Sequence, residues 1–199
     1  MAIEFNRKDY SGYFPAFWRG EAKILPGGFK PVQEFPIGTV IRRGTPVFVD
    51  TDKLTAAICK TGKVVAGGTT TAPRVAKGHL FVVGDSVAKT DSTEAVSVKS
   101  IDTTNTDYDV ITFTKALTGV AADDVIFETG EVSEKAVPKY EPNNVVGSDL
   151  QFTGKGLPTL DVAFEALVLI PSLAAPLMPD WIVGGQCMKL NHSIKFIKQ

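Results

Sequence analysis

The sequence predicts a mainly β protein: a small antiparallel β-barrel or sandwich with an extended N-terminal arm and a hydrophobic C-terminal β-rich region. Three observations predict it. Val, Thr and Ile supply 22, 19 and 12 of the 199 residues, and side chains branched at Cβ suit a pleated, half-buried surface better than a helix. Eighteen Gly and twelve Pro punctuate the chain into short runs, as many short strands require. Within those runs apolar residues alternate, most clearly at Val96 and Val98, the period-2 signature of a strand with one buried face.

The elements follow in order. Residues 1–36 hold Pro15, Pro26, Pro31, Pro36 and the pair Gly27-Gly28, which disfavour regular structure and predict an arm. Residues 37–136 form the expected barrel or sandwich body. It opens with apolar runs at 39–42 and 45–50 separated by Arg43-Gly44; Pro46 has no N–H, so its strand begins there or lies on an edge. Residues 56–60 and 63–66 flank Thr61-Gly62, a hairpin signal, and 79–83 and 86–88 flank Gly84-Asp85 in the same way. The strongest pairing is between 95–101 and 110–114 across the polar loop 102–107, with a further strand at 125–127. Residues 137–144, centred on Pro138 and Pro142, read as a linker. Residues 145–199 form a C-terminal assembly region. There 160–169 fits a helix stopped by Pro171, and 162–170 fits a strand equally well.

Several function classes fall away on composition. Lys and Arg number 21 against 22 Asp and Glu, so no global field draws the chain to nucleic acid or anionic lipid. The longest uncharged apolar run, residues 166–179, is 14 residues long and broken by three prolines, whereas a spanning helix needs ~20. Glu4, Arg7, Lys8 and Asp9 stand where a signal peptide needs an apolar stretch. Cys59 and Cys187 are far apart without CxxC spacing, and read as free thiols with no zinc or redox motif.

Chemical motifs are sparse. No GxSxG elbow is present, because Gly84-Asp85-Ser86-Val87 lacks the second glycine that closes the turn under the serine. Thr153-Gly154-Lys155 has the wrong gap for a phosphate loop and reads as a turn. His79 and His192 could titrate near neutral pH, but a lone strand histidine is more often structural. Asp102, Asn105, Asp107 and Asp109 gather oxygens that calcium could use, yet such side chains bond their own backbone in loops without any metal. No enzyme, cofactor or metal site is expected.

Aromatic residues point elsewhere. Of 18 Phe, Trp and Tyr, six lie in the first 18 residues: Phe5, Tyr10, Tyr13, Phe14, Phe17 and Trp18. An irregular segment this aromatic must pack on its own domain, a neighbouring subunit or a partner. Tyr10, Tyr13, Phe14, Phe17, Trp18 and, in the C-terminal region, Trp181 are the interface candidates. Charge also segregates: residues 78–140 hold 11 acidic and 5 basic residues, while 181–199 hold three lysines and no acid. Such faces are either merely solvated or complementary between subunits.

The strand-and-turn patterns at 38–50, 98–102, 108–114 and 122–127, with Pro158-Thr159-Leu160-Asp161-Val162-Ala163-Phe164, Pro171-Ser172-Leu173, Trp181 and the closing 194–199, carry a resemblance. Taken together they resemble the head-fibre and capsid decoration proteins of tailed bacteriophages, including those of Bacteroides (crAss-like) phages and prophages. The resemblance implies a non-catalytic virion protein on the capsid exterior, made in the host cytoplasm. It further implies a homotrimer that binds the major or an auxiliary capsid protein. Two other classes stand beside it. A glycan-binding β-module would use exposed aromatics such as Trp18 or Trp181 against a host-surface glycan. A hydrolase would need a relay that the motifs do not supply.

Overall fold

The computed structural model describes residues 22–130 and 135–198. Its strands are β1 (Lys23–Pro31), β2 (Val40–Ile41), β3 (Pro46–Asp50), β4 (Thr55–Ile58), β5 (Thr61–Val65), β6 (Arg74–Ala76), β7 (Ser86–Lys89) and β8 (Val96–Asp102). They continue with β9 (Tyr108–Phe113), β10 (Val125–Glu128), β11 (Asn144–Val146), β12 (Leu150–Gln151), β13 (Leu160–Leu169), β14 (Ile182–Val183), β15 (Cys187–Met188) and β16 (Asn191–Ile197). The helical elements among the described residues are single 3₁₀ turns, Ile170–Ser172 and Pro179–Trp181. The expected mainly β class is what the molecule shows.

Two closed systems of strands share the chain. Strands β10-β5-β6-β9-β8-β7 close into a barrel in which every pairing is antiparallel. Inside it Val75, Val87, Ile111, Leu117 and Ile126 are fully buried. The second system joins β1-β4-β3-β11-β13, and β1 pairs back on β13, so these five strands run in a circle. Phe29, Ile41, Ile58, Val146 and Leu160 fill its core. Each such side chain contributes roughly 1.5–3 kcal/mol relative to exposure. From β13 the sheet extends through β16, β15 and β14, over a third cluster that includes Met188, Ile194 and Phe196.

The connectivity corrects the domain boundaries read from composition. The chain leaves the five-strand ring after β4, builds the whole barrel, and returns to the ring at β11. The barrel is thus an insertion spanning β5 to β10, and within the expected 37–136 body β3 and β4 belong to the ring, with Ile41 of β2 packed in its core. Part of the expected arm is a strand: β1 pairs with β13 and β4, and Phe29 lies in the ring core. Pro26 is tolerated there because the Leu25 to Phe29 register is broken around Gly27 (φ +43°), and Pro31 is the last residue of the strand. Nor are residues 137–144 a free linker. Thr129 bridges Pro138, and the Asn143 side chain both accepts from Val49 N–H (2.8 Å) and donates to Val49 C=O (2.9 Å), acting as one more strand partner. The last of them, Asn144, is buried in β11.

Local readings fare unevenly. The β8–β9 hairpin forms as expected, with a register shift between Val98 and Ser100, β3 does begin at Pro46, and 160–169 is a strand. The Thr61-Gly62 hairpin does not form. Strand β4 pairs with β3 and β1 while β5 pairs with β10 and β6, so Cys59 and Lys60 are a crossing between the two systems. Gly62 lies inside β5, where it supplies space rather than a turn. A Cβ there would stand 2.7 Å from Val75, 2.9 Å from Phe81 and 3.1 Å from His79. At 79–83 a turn precedes β7, without a strand; Gly84 at φ +93° makes it.

Candidate functional site

A cleft of about 910 Å³ lies between the two strand systems, walled by Phe35, Pro36 and Val40 on the ring side and Leu80, Val82 and Ile101 on the barrel side. A smaller cleft of about 440 Å³ lies against residues 170–177, and His79 and Lys77 border both. The walls are mostly apolar, and the chemistry is concentrated at the floor.

Three side chains form that floor. Asp109, on β9, accepts from Lys77 Nζ at 2.5 Å through Oδ1 and pairs with His79 Nε2 at 3.1 Å through Oδ2. His79 Nδ1 accepts the Phe81 N–H at 3.0 Å, which fixes Nε2 as the protonated nitrogen of a neutral ring. The imidazole also stacks on Phe81, centroids 5.3 Å apart. Burial pushes the His79 pKa below its ordinary value of 6.5, with Asp109 opposing the shift. Both ring nitrogens are occupied, so His79 has no lone pair free to serve as a general base in this arrangement. Lys77 is the one partly exposed cation of the three, and its charge is balanced by Asp109.

This predicts a pH dependence. The unfolded chain takes up a proton near pH 6.5, whereas folded His79 resists it, so its contribution to stability is complete above that pH and is lost as pH falls below it. Asp102, held below 3.8 by the Thr104 N–H and hydroxyl, titrates lower and stays out of this window. Urea unfolding at about pH 7.5 and about pH 5.5 should show the drop, and His79→Gln should flatten it.

Behind the cleft lies a second cluster. Lys60, at the crossing from β4 to β5, is 3% exposed. Its Nζ bonds both Asp85 oxygens, Oδ1 at 3.0 Å and Oδ2 at 2.7 Å, and stands 3.6 Å from Glu128 Oε2. The Phe35 ring centroid is 5.3 Å from the same nitrogen. Asp85 is held by its turn, with Oδ2 also accepting Val82 N–H at 2.8 Å. Glu128 ends β10, where its N–H donates to Lys60 C=O at 3.0 Å. Its Oε1 accepts from Lys139 at 2.8 Å, while Oε2 is buried with no hydrogen bond. Beside them the Cys59 thiol is pushed up by burial.

The residues singled out in the sequence scatter. Tyr10, Tyr13, Phe14, Phe17 and Trp18 lie outside the described residues. Trp181 is described, and it corrects the expectation of an exposed platform. It is 2% exposed, packed with Cys59, Ala88, Phe127 and Met178 where the two strand systems meet. A buried indole offers no face to a sugar. His192 is exposed, and both cysteines are unpaired. Asp102 and Asn105 accept from their own loop while Asp109 bonds Lys77 and His79. Among the described residues no three His, Cys, Asp or Glu gather as a metal site requires.

Sequence reasoning missed Lys60, Lys77, Asp85 and Glu128. A signal existed for two of them. Lys60 follows Ala56-Ala57-Ile58-Cys59, and Glu128 follows Val125-Ile126-Phe127; a charge at the end of a run too apolar to be half-exposed marks a buried partner. Comparison with models of protein families, with curated proteins and with solved structures finds no match for this chain.

Proposed function

We propose that the chain is a structural subunit of the head-fibre or capsid decoration kind, one that assembles with copies of itself and binds the outer surface of a phage capsid. The observation that carries this reading is how the buried ionisable groups are used. Lys60, Asp85 and Glu128 brace the junction of two closed strand systems, and His79 and Asp109 are bonded to each other at the cleft floor. Groups bonded in this way tie the two systems together, as a part that reinforces a shell requires, and the one buried imidazole has no nitrogen to offer a substrate. Several apolar side chains meanwhile face outward. Ile37 and Leu157 are 77% and 82% exposed, and Ile37 lies against Gly154 of the loop that carries Leu157. Exposed apolar residues suit docking, and on a lattice many weak contacts add through effective concentration.

Light scattering of the purified protein is expected to give a trimer mass. Co-sedimentation with capsids lacking this protein is expected to carry it into the pellet, and Ile37→Ser with Leu157→Ser to reduce that binding. A monomer that also stays in the supernatant overturns the proposal.

A further inference from the structure

We propose that Lys60 and Asp85 react to form an intramolecular amide, with Glu128 as the proton carrier. The inference is independent of the capsid reading and rests on the buried cluster alone. Four features converge. An amine and a carboxyl group are in contact, Nζ lying 3.0 and 2.7 Å from the two Asp85 oxygens. Their side chains are 1% and 9% exposed, so bulk water is excluded from the reacting pair. A second carboxylate has one oxygen, Glu128 Oε2, that is buried, hydrogen-bonded to nothing and 3.6 Å from the same nitrogen. Finally, each group is held by backbone: Glu128 N–H on Lys60 C=O, and Val82 N–H on Asp85 Oδ2.

Reacting atoms held in contact gain the advantage of a pre-oriented intramolecular reaction. An ammonium has no lone pair, so the first event is transfer of a proton from Lys60 Nζ to Glu128 Oε2. The nitrogen then attacks Asp85 Cγ, forming the C–N bond. Oδ2, which keeps its bond from Val82 N–H, becomes the amide oxygen; Oδ1, whose partner is Nζ itself, is the leaving oxygen. Both protons lost from nitrogen reach Oδ1, one or both by way of Glu128, and the C–Oδ1 bond breaks to release water. Ammonium plus carboxylate becomes amide plus one water, Glu128 returns to its starting form, and no oxidant or cofactor is consumed. Lysine amines are established nucleophiles when desolvated in this way. The bond would tie the crossing at Lys60 to the turn before β7, closing residues 60–85 into a covalent ring.

The experiment is the intact mass of the full-length protein under denaturing conditions, followed by tryptic mapping. The expected mass is lower by one water than the sequence mass. Lys60 should resist trypsin, leaving residues 54–63 joined to residues 78–89. Glu128→Gln and Lys60→Arg should each restore the full mass. Wild-type protein that is folded by circular dichroism and has the full mass after prolonged incubation overturns the proposal. So does a water loss that maps to any other pair or persists in Lys60→Arg. The wild-type measurement decides the matter even if a variant fails to fold.

Discussion

Lys60→Met should destabilise the protein by at least about 3–5 kcal/mol, the range for breaking a buried ion pair from one side, and by more where the Lys60–Asp85 amide has formed and the substitution removes that tie as well. The size follows from what is left behind. Asp85 and Glu128 would face each other without the nitrogen that bonds both Asp85 oxygens, and only Lys139 would remain on Glu128. Lys139 is about half exposed, so solvent screens it and it cannot replace a fully buried cation. The substitution keeps nearly the same side-chain volume, which separates the electrostatic loss from a cavity. Adding Asp85→Asn and Glu128→Gln to Lys60→Met removes both stranded charges, and the side-chain carbonyl that Asp85→Asn retains still accepts from Val82 N–H. The triple variant should regain part of the loss, with the shortfall recording the lost link between Lys60 and the turn. Urea midpoints of the wild type, the single and the triple variant check this. A single variant within about 0.5 kcal/mol of wild type, the ordinary range for surface changes, would show that the cluster does not brace the junction.

How far the sequence reached depends on the range of the interaction. Patterns that close locally were legible. The β8–β9 pair shows itself in alternating valines and a polar loop, and Pro46 starts its strand because a missing N–H acts on the residue itself. The strand circle was not legible, since it closes through β3–β11 and β1–β13, pairings that skip the entire barrel. Nothing in the composition of residues 23–31 shows that Phe29 will meet Leu160. Gly62 illustrates the same limit. A glycine beside threonine reads as a turn, but here the partners that demand it, Val75, Phe81 and His79, arrive from other strands. The candidate site was half legible. His79 stood out as one of two histidines, while its partner Asp109 was read as part of an acidic loop. That loop satisfies its own oxygens through Asp102 and Asn105, and the carboxylate that matters points away from it into the barrel's edge.

The second large effect concerns Trp181, and it distinguishes a buried plug from an interface aromatic. Trp181→Ala is expected to cost about 3–5 kcal/mol, as large-to-small changes of buried aromatics do. The indole sits where Cys59 of the crossing, Phe127 of the barrel and Met178 of the C-terminal region meet, so the cavity would open between elements that no neighbouring strand can move to fill. Trp181→Phe should cost much less. The indole Nε1 is buried without a partner, and an unpaired buried donor carries a penalty of about 1–3 kcal/mol. Phenylalanine removes that donor while keeping most of the ring, so relief of the penalty offsets lost contact. An interface tryptophan would behave the other way: either substitution would lower the oligomer mass while leaving the unfolding midpoint of the isolated subunit in place. Thermal or urea unfolding of the two variants, read beside light scattering on the same samples, therefore assigns the residue. The expected pattern is a large loss of stability for alanine, a small one for phenylalanine, and an unchanged mass for the phenylalanine variant.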